Sequence, residues 1–306
     1  MKTQRQVFIG GFVLAVMLML LLSRCPGAQA QTADRNVAMT VTVDSHKNQA
    51  PPAVAKDEVL VHHQKERLQV VDWKPASGPL NFYILLDDGL DSSAGSYLSE
   101  ITTFIHALPA QTRVAVGYAS NGTVSVAQDF TEDKDAAAKA LRIPRGSFGV
   151  ASPFLALNDL VKRFPDVPER REILFISSGF DAMGGNDLNN PYVSTAIDNA
   201  QRRNIQVYSV YAAAASHRGR HFFAVSMAQS NLAKVADETG GDSFYMGSDS
   251  PVSFRPFLDE LLQALSHQYV LQVAVPEGRK ASWANLKISS EATGVEFDYA
   301  SRVWVP

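Results

Sequence analysis

Asn81-Phe-Tyr-Ile-Leu-Leu-Asp87 is apolar at nearly every position, with no alternation between an inner and an outer face. A strand of that kind has to be covered on both sides, as in parallel sheets flanked by helices. Two further runs repeat it, Ile173-Leu-Phe-Ile176 and Val207-Tyr-Ser-Val-Tyr211. Between and after them the apolar period changes to that of helices. Tyr97, Ile101, Phe104, Ile105 and Leu108 share one helical face, and Phe154, Leu157, Leu160, Val161 and Phe164 share another. Residues 133–141, 192–203 and 223–239 read as helices, the last stopped by Gly240-Gly241, and Phe257, Leu258, Leu261, Leu262 and Leu265 mark a final one. Arg113–Tyr118 reads as a strand, Asn121-Gly122 as a hairpin turn into Val124-Ser-Val126, and residues 243–246 as a short strand. The fold class is therefore α/β: a doubly wound, mainly parallel sheet over residues 80–268.

The flanks have a different rhythm. Val37–Val43 alternates like a half-buried strand, and Val59–Val61 and Leu68–Val71 are shorter candidates. Trp73, Pro75, Gly78 and Pro79 read as a linker closing residues 31–79. From residue 269 to 306 the chain is β again, with strands at Tyr269–Val275, Ala284–Ile288 and Val295–Phe297. These end segments are expected to pair with each other as a small β module.

Residues 1–30 are expected to lie outside the fold. Lys2 and Arg5 precede an apolar run from Val7 to Leu22, short for a membrane span, and Ala28-Gln29-Ala30 matches a cleavage site. The reading is a signal peptide cut before Gln31, which makes the protein exported, periplasmic or secreted, with no membrane insertion after cleavage. An uncleaved N-terminal anchor is the alternative. A lipoprotein would use Cys25, but Arg24 is the wrong neighbour for that. Removing Lys2, Arg5 and Arg24 from the 28 basic residues leaves 25 against 31 acidic, a net charge of −6. That balance gives no footprint for nucleic acid or anionic membranes. Cys25 is the only cysteine, so the remaining 276 residues hold no disulfide and no cysteine-bound metal.

No Gly-x-Ser-x-Gly elbow, His-Glu-x-x-His, P-loop or dinucleotide-binding glycine fingerprint occurs, so an enzyme is not expected. Ser177-Ser178-Gly179 suggests a nucleophile turn, but no base accompanies it. His217-Arg-Gly-Arg-His221 is a basic loop beyond the third buried strand, suited to an anion or partner contact. Gly184–Asn190 is acidic and Asn-rich, a calcium loop or, more simply, a solvated one. Asn121-Gly-Thr123 matches a glycosylation sequon that the hairpin turn explains.

The order of these segments resembles a von Willebrand factor type A domain. A strand ends in Asp87, Ala151-Ser152-Pro153 opens a helix, Ile173–Asp181 runs from a hydrophobic strand into Ser-Ser-Gly-Phe-Asp, and Ala236–Gly241 closes a late helix. The likeness extends to exported bacterial proteins that flank this domain with β segments, and it covers residues 37–306. The resemblance implies a metal-ion-dependent adhesion site: Asp-x-Ser-x-Ser, a Thr and a further Asp holding Mg²⁺ or a similar divalent cation, with one position open to a partner's carboxylate. Here Asp87 matches the first position, while Gly89 and Asp91 occupy the two Ser positions. Ser152 falls at the Thr position and Ser178 at the later Asp position. The implied cation ligands reduce to Asp87, Asp91 and Ser152, with Asp88 or Asp181 as further carboxylates. Without an ion, Asp87 would serve to end its strand and hydrogen-bond the crossing loops. The expected function is an exported protein–protein interaction module, contacting a protein partner through Asp87, Asp88, Asp91, Ser152, Ser178, Asp181, His217 and His221. A structural envelope protein and a hydrolase using the acidic cluster are the alternatives.

Overall fold

The computed structural model describes residues 34–45, 51–146, 150–185, 187–215, 222–245, 247, 250–276 and 281–306. Residues 1–30, expected to be a signal peptide, and the His217–His221 segment lie outside the described residues. Among the described residues thirteen strands form two sheets. The central one has the order β6-β5-β4-β7-β8-β9, built from β4 (Leu80–Asp87), β5 (Thr112–Ser120), β6 (Thr123–Thr131), β7 (Arg170–Ser177), β8 (Ile205–Tyr211) and β9 (Ser243–Phe244). Five of these strands run parallel, and β6 alone is antiparallel. The sheet is thus mixed rather than wholly parallel, and the reason is local. Asn121 and Gly122, at φ of 50° and 72°, make the tight turn that folds β6 back along β5.

Every position of β4 is buried. Phe82, Ile84 and Leu86 face α1 (Leu98–Ala107), α2 (Lys134–Lys139) and α6 (Arg255–Ser266). Tyr83 and Leu85 face α3 (Pro153–Arg163), α4 (Pro191–Arg202) and α5 (Phe222–Thr239). The two-sided burial demanded by the unbroken apolar run is met by helices on both faces.

The second sheet is antiparallel and seven-stranded, in the order β12-β1-β10-β3-β2-β11-β13. It interleaves β1 (Asp34–Ser45), β2 (Val59–His63) and β3 (Glu66–Pro75) with β10 (Gln268–Pro276), β11 (Ser282–Ser290), β12 (Val295–Tyr299) and β13 (Arg302–Val305). Each N-terminal strand thus pairs with at least one C-terminal strand. Trp73 and Pro75, read from the sequence as linker, belong to β3 instead. The Trp73 ring stacks on Tyr269 at 4.5 Å and its Nε1–H donates to the Val54 carbonyl at 2.9 Å. Strand β13 has no counterpart among the sequence expectations; its four residues are too few for a period.

The two layers meet through side chains. Gln268 at the start of β10 donates to Gln206 Oε1 and to the Tyr208 hydroxyl, both at 3.0 Å. Arg302 binds Asp198 and donates to Gln201 Oε1 at 2.7 Å, while Arg202 lies 3.7 Å over the Trp304 ring.

Candidate functional site

The carboxyl ends of β4, β5, β7 and β8 open into a cleft of about 600 Å³, lined among others by Asp87, Asp88, Ser120, Arg145, Ser152 and Ser178. This is where loops leave adjacent parallel strands and backbone groups lose their ladder partners. The loops are stitched to one another. Asp88 N–H donates to the Ala119 carbonyl at 2.9 Å, Asp91 N–H to Ala213 at 3.1 Å and Ala215 N–H to Gly89 at 3.2 Å.

Asp87, the last residue of β4, is buried. Its Oδ1 accepts from Gly89 N–H and its Oδ2 from the Ser177 hydroxyl, each at 2.9 Å. Burial pushes its pKa above the ordinary carboxylate range, and the bonds from Gly89, Ser177 and Ser178 only partly offset that. Asp88 has the opposite fate. Arg142 donates to Oδ1 at 2.6 Å and to Oδ2 at 2.9 Å, a bidentate pair, and Arg145 N–H adds a third bond at 2.9 Å. Burial raises the Asp88 pKa, but the Arg142 bonds and charge outweigh it and hold the group below its usual range.

Arg142 is itself held, with its guanidinium 3.7 Å over the Tyr118 ring and its backbone N–H donating to the Tyr118 hydroxyl at 2.6 Å. Residues 142–145 therefore cross the end of β4 as a strap that carries Arg145 to the cleft rim. Neither arginine was picked out from the sequence. The usable signal was Arg142-Ile-Pro-Arg145, where Pro144 ends any helical continuation after the Ala-rich helix and leaves two cations on one loop.

Ser152 and Ser178 reach the cleft as expected. Ser152 is the N-cap residue of α3, yet its side chain makes no capping bond, and among the described residues its buried Oγ has no hydrogen-bond partner. Ser178 Oγ accepts from Phe180 N–H at 3.3 Å. Gly179 turns the chain at φ +65°, where an added Cβ would lie 2.5 Å from the Ala228 carbonyl oxygen, so only glycine lets this loop pass α5.

Two expected residues do not line the cleft. Asp91 caps the short 3₁₀ turn Ser92–Tyr97, accepting from Ser93 N–H at 2.9 Å. Asp181 is fully buried and ties its own loop, accepting from Met183 and Gly184 N–H at 3.0 and 2.9 Å and from Asn190 Nδ2 at 3.1 Å. His217 and His221 fall outside the described residues.

The cation expected on Asp87, Asp91 and Ser152 does not fit this arrangement. Asp91 is turned to its own helix, Asp88 is neutralised by Arg142, and both oxygens of Asp87 are already engaged. Hard divalent cations need several oxygen acceptors free to converge. Among the described residues no three His, Cys, Asp or Glu side chains are placed to hold an ion.

Family sequence models and curated proteins give no match to this chain. Solved structures do. The conserved hypothetical protein BatB from Bacteroides thetaiotaomicron is 18% identical, with 61% of this chain and 97% of that one covered at a TM-score of 0.46. A von Willebrand factor type A protein from Catenulispora acidiphila is 10% identical, covering 91% and 74% at 0.42. The pilus adhesin SpaC from Lactobacillus rhamnosus GG is 8% identical, covering 86% and 46% at 0.46. The α/β assignment rests on strand order and helix placement.

Proposed function

We propose that the chain is an exported, non-enzymatic interaction module of the von Willebrand factor A kind, which takes a segment of a protein partner into the cleft beyond β4, β5 and β7. The observation that carries this reading is Ser152 Oγ, a buried hydroxyl without a partner among the described residues, on a residue that lines an open cleft. Leaving such a group unsatisfied costs on the order of 1–3 kcal/mol, a cost that a bound ligand would remove. The cleft rim supports the same reading. Val150 lines the cleft and is half exposed, and Met183 sits beside the lining residue Ala182 with half its surface in water. Apolar side chains around a polar floor suit a peptide segment. Export rests on Lys2, Arg5, the Val7–Leu22 run and Ala28-Gln29-Ala30. Among the described residues no helix is long and apolar enough to cross a membrane.

The test is a cleft-filling substitution. Ser120→Trp places an indole on a partly exposed position lining the cleft. Peptide ligands selected on the wild-type protein should lose measurable affinity for this variant. Ligands that bind both proteins equally would locate the binding surface elsewhere and end the cleft reading.

A further inference from the structure

We propose that the cleft receives an anionic oxygen group, a carboxylate of the partner segment, directly on Arg145, Ser152 and Ser178, with no divalent cation between them. The inference rests on the reading of the cleft as a partner site and adds what the site selects.

The argument is an inventory of hydrogen-bonding capacity. On the acceptor side little is left. The Asp87 oxygens are occupied by Gly89 N–H and the Ser177 hydroxyl, and those of Asp88 by the Arg142 guanidinium and Arg145 N–H. On the donor side capacity is unspent. Ser152 is 3% exposed, and its hydroxyl has no hydrogen-bond partner among the described residues. The Ser178 hydroxyl accepts one long bond and donates to no described residue. The Arg145 guanidinium is exposed, lines the cleft and makes no hydrogen bond to a described residue.

Helix α3 adds to this. It is eleven residues long, Ser152 and Pro153 at its start line the cleft, and the N-cap side chain makes no capping bond. The positive end of its dipole therefore meets the same space as the unpartnered hydroxyl. A cation placed there would face donors and a guanidinium, whereas an oxyanion would find hydroxyl, guanidinium and helix N–H groups together. Arg142 contributes indirectly: by neutralising Asp88 it removes the negative charge nearest to Arg145 and fixes the strap.

A random peptide display library, panned on the full chain once in EDTA and once in Mg²⁺, tests this. Recovered peptides are resynthesised with each Asp or Glu changed to its amide or to phosphoserine, and titrated by calorimetry. The expected result is a shared acidic residue, affinity equal in EDTA and Mg²⁺, and a loss of about 10- to 100-fold on amidation or in Arg145→Glu, the scale of one charge-assisted contact. Ser152→Ala and Arg145→Gln should each weaken binding several-fold while circular dichroism stays unchanged. Peptides that bind without an acidic residue, and are excluded by Ser120→Trp, would overturn the inference and leave the interaction module standing. Binding that appears only with Mg²⁺ would overturn the metal-free site. Tighter binding of phosphoserine peptides or inorganic phosphate would overturn the choice of carboxylate. Failure to recover any peptide would overturn inference and module together.

Discussion

Glu172, in β7 where the central sheet meets β10, is 1% exposed, and among the described residues neither of its carboxyl oxygens has a hydrogen-bond partner of good geometry. Arg170 is 3.9 Å away, and its terminal nitrogens donate to Gln268 Oε1 and to the Leu265 and Gly78 carbonyls. Burial pushes the Glu172 pKa from 4.5 up to about 7, with Arg170 and Gln268 only partly offsetting it. The sign follows directly. Above about pH 7 the folded protein holds an ionised, poorly solvated carboxylate and is destabilised; as pH falls from about 7 to 4.5 the folded state takes up a proton that the unfolded chain does not, and stability rises. At about 1.36 kcal/mol per pKa unit, the interval from 4.5 to about 7 corresponds to about 3 kcal/mol. Glu172→Gln keeps the shape and removes the charge, while Arg170 keeps its bonds to Gln268 and Gly78. Urea unfolding at about pH 8 should show the variant more stable than wild type by up to about 3 kcal/mol, the gap closing towards about pH 4.5. A variant less stable than wild type at the higher pH, or a gap that does not change with pH, would refute the reasoning. It would mean that the Arg170 charge outweighs desolvation.

Ser152→Ala should leave stability unchanged or raise it by about 1 kcal/mol in urea unfolding, because it removes a buried unsatisfied hydroxyl, while weakening cleft binding. Arg142→Ala breaks the bidentate pair with Asp88 and the stack on Tyr118. It should cost roughly 1–3 kcal/mol and increase hydrogen exchange at Arg145 N–H, since one partner is buried and the other half-buried. Trp73→Ala removes the ring stacked on Tyr269 and edge-on to Phe297. A loss of about 3–5 kcal/mol is expected in thermal or urea unfolding.

Much of the α/β layer was legible because its periods are unambiguous. An all-buried run such as Leu80–Asp87, followed by an amphipathic helix, admits few arrangements, and Asn121-Gly122 announces its hairpin through backbone sterics alone. The flanking sheet was harder. Trp73 and Pro75 look like linker residues until Tyr269, almost two hundred positions away, supplies the ring that Trp73 stacks on. Strand β13 depends wholly on β11 for its pairing. Of the site, Asp87 is marked by its place at a strand end, Ser152 and Ser178 only by the family resemblance, and Asp88 as an adjacent carboxylate; all four line one cleft. Asp91 and Asp181 were placed in the right loops, but whether a loop carboxylate faces a cleft or caps its own backbone is decided by geometry that residue order does not record.

Local sequence alone marked the strands and helices of the α/β layer and showed that the central strands need cover on both faces, because steric preference and hydrophobic period act over a few residues. The tertiary structure decided the interleaving of the chain's two ends in one sheet and the pairing of Arg142 with Asp88. It also decided the isolation of Ser152 Oγ, and so the surplus of donors over acceptors in the cleft. Those outcomes depend on which groups satisfy one another across tens to hundreds of residues, and a hydrogen bond is spent or spare only once its neighbours in space are known.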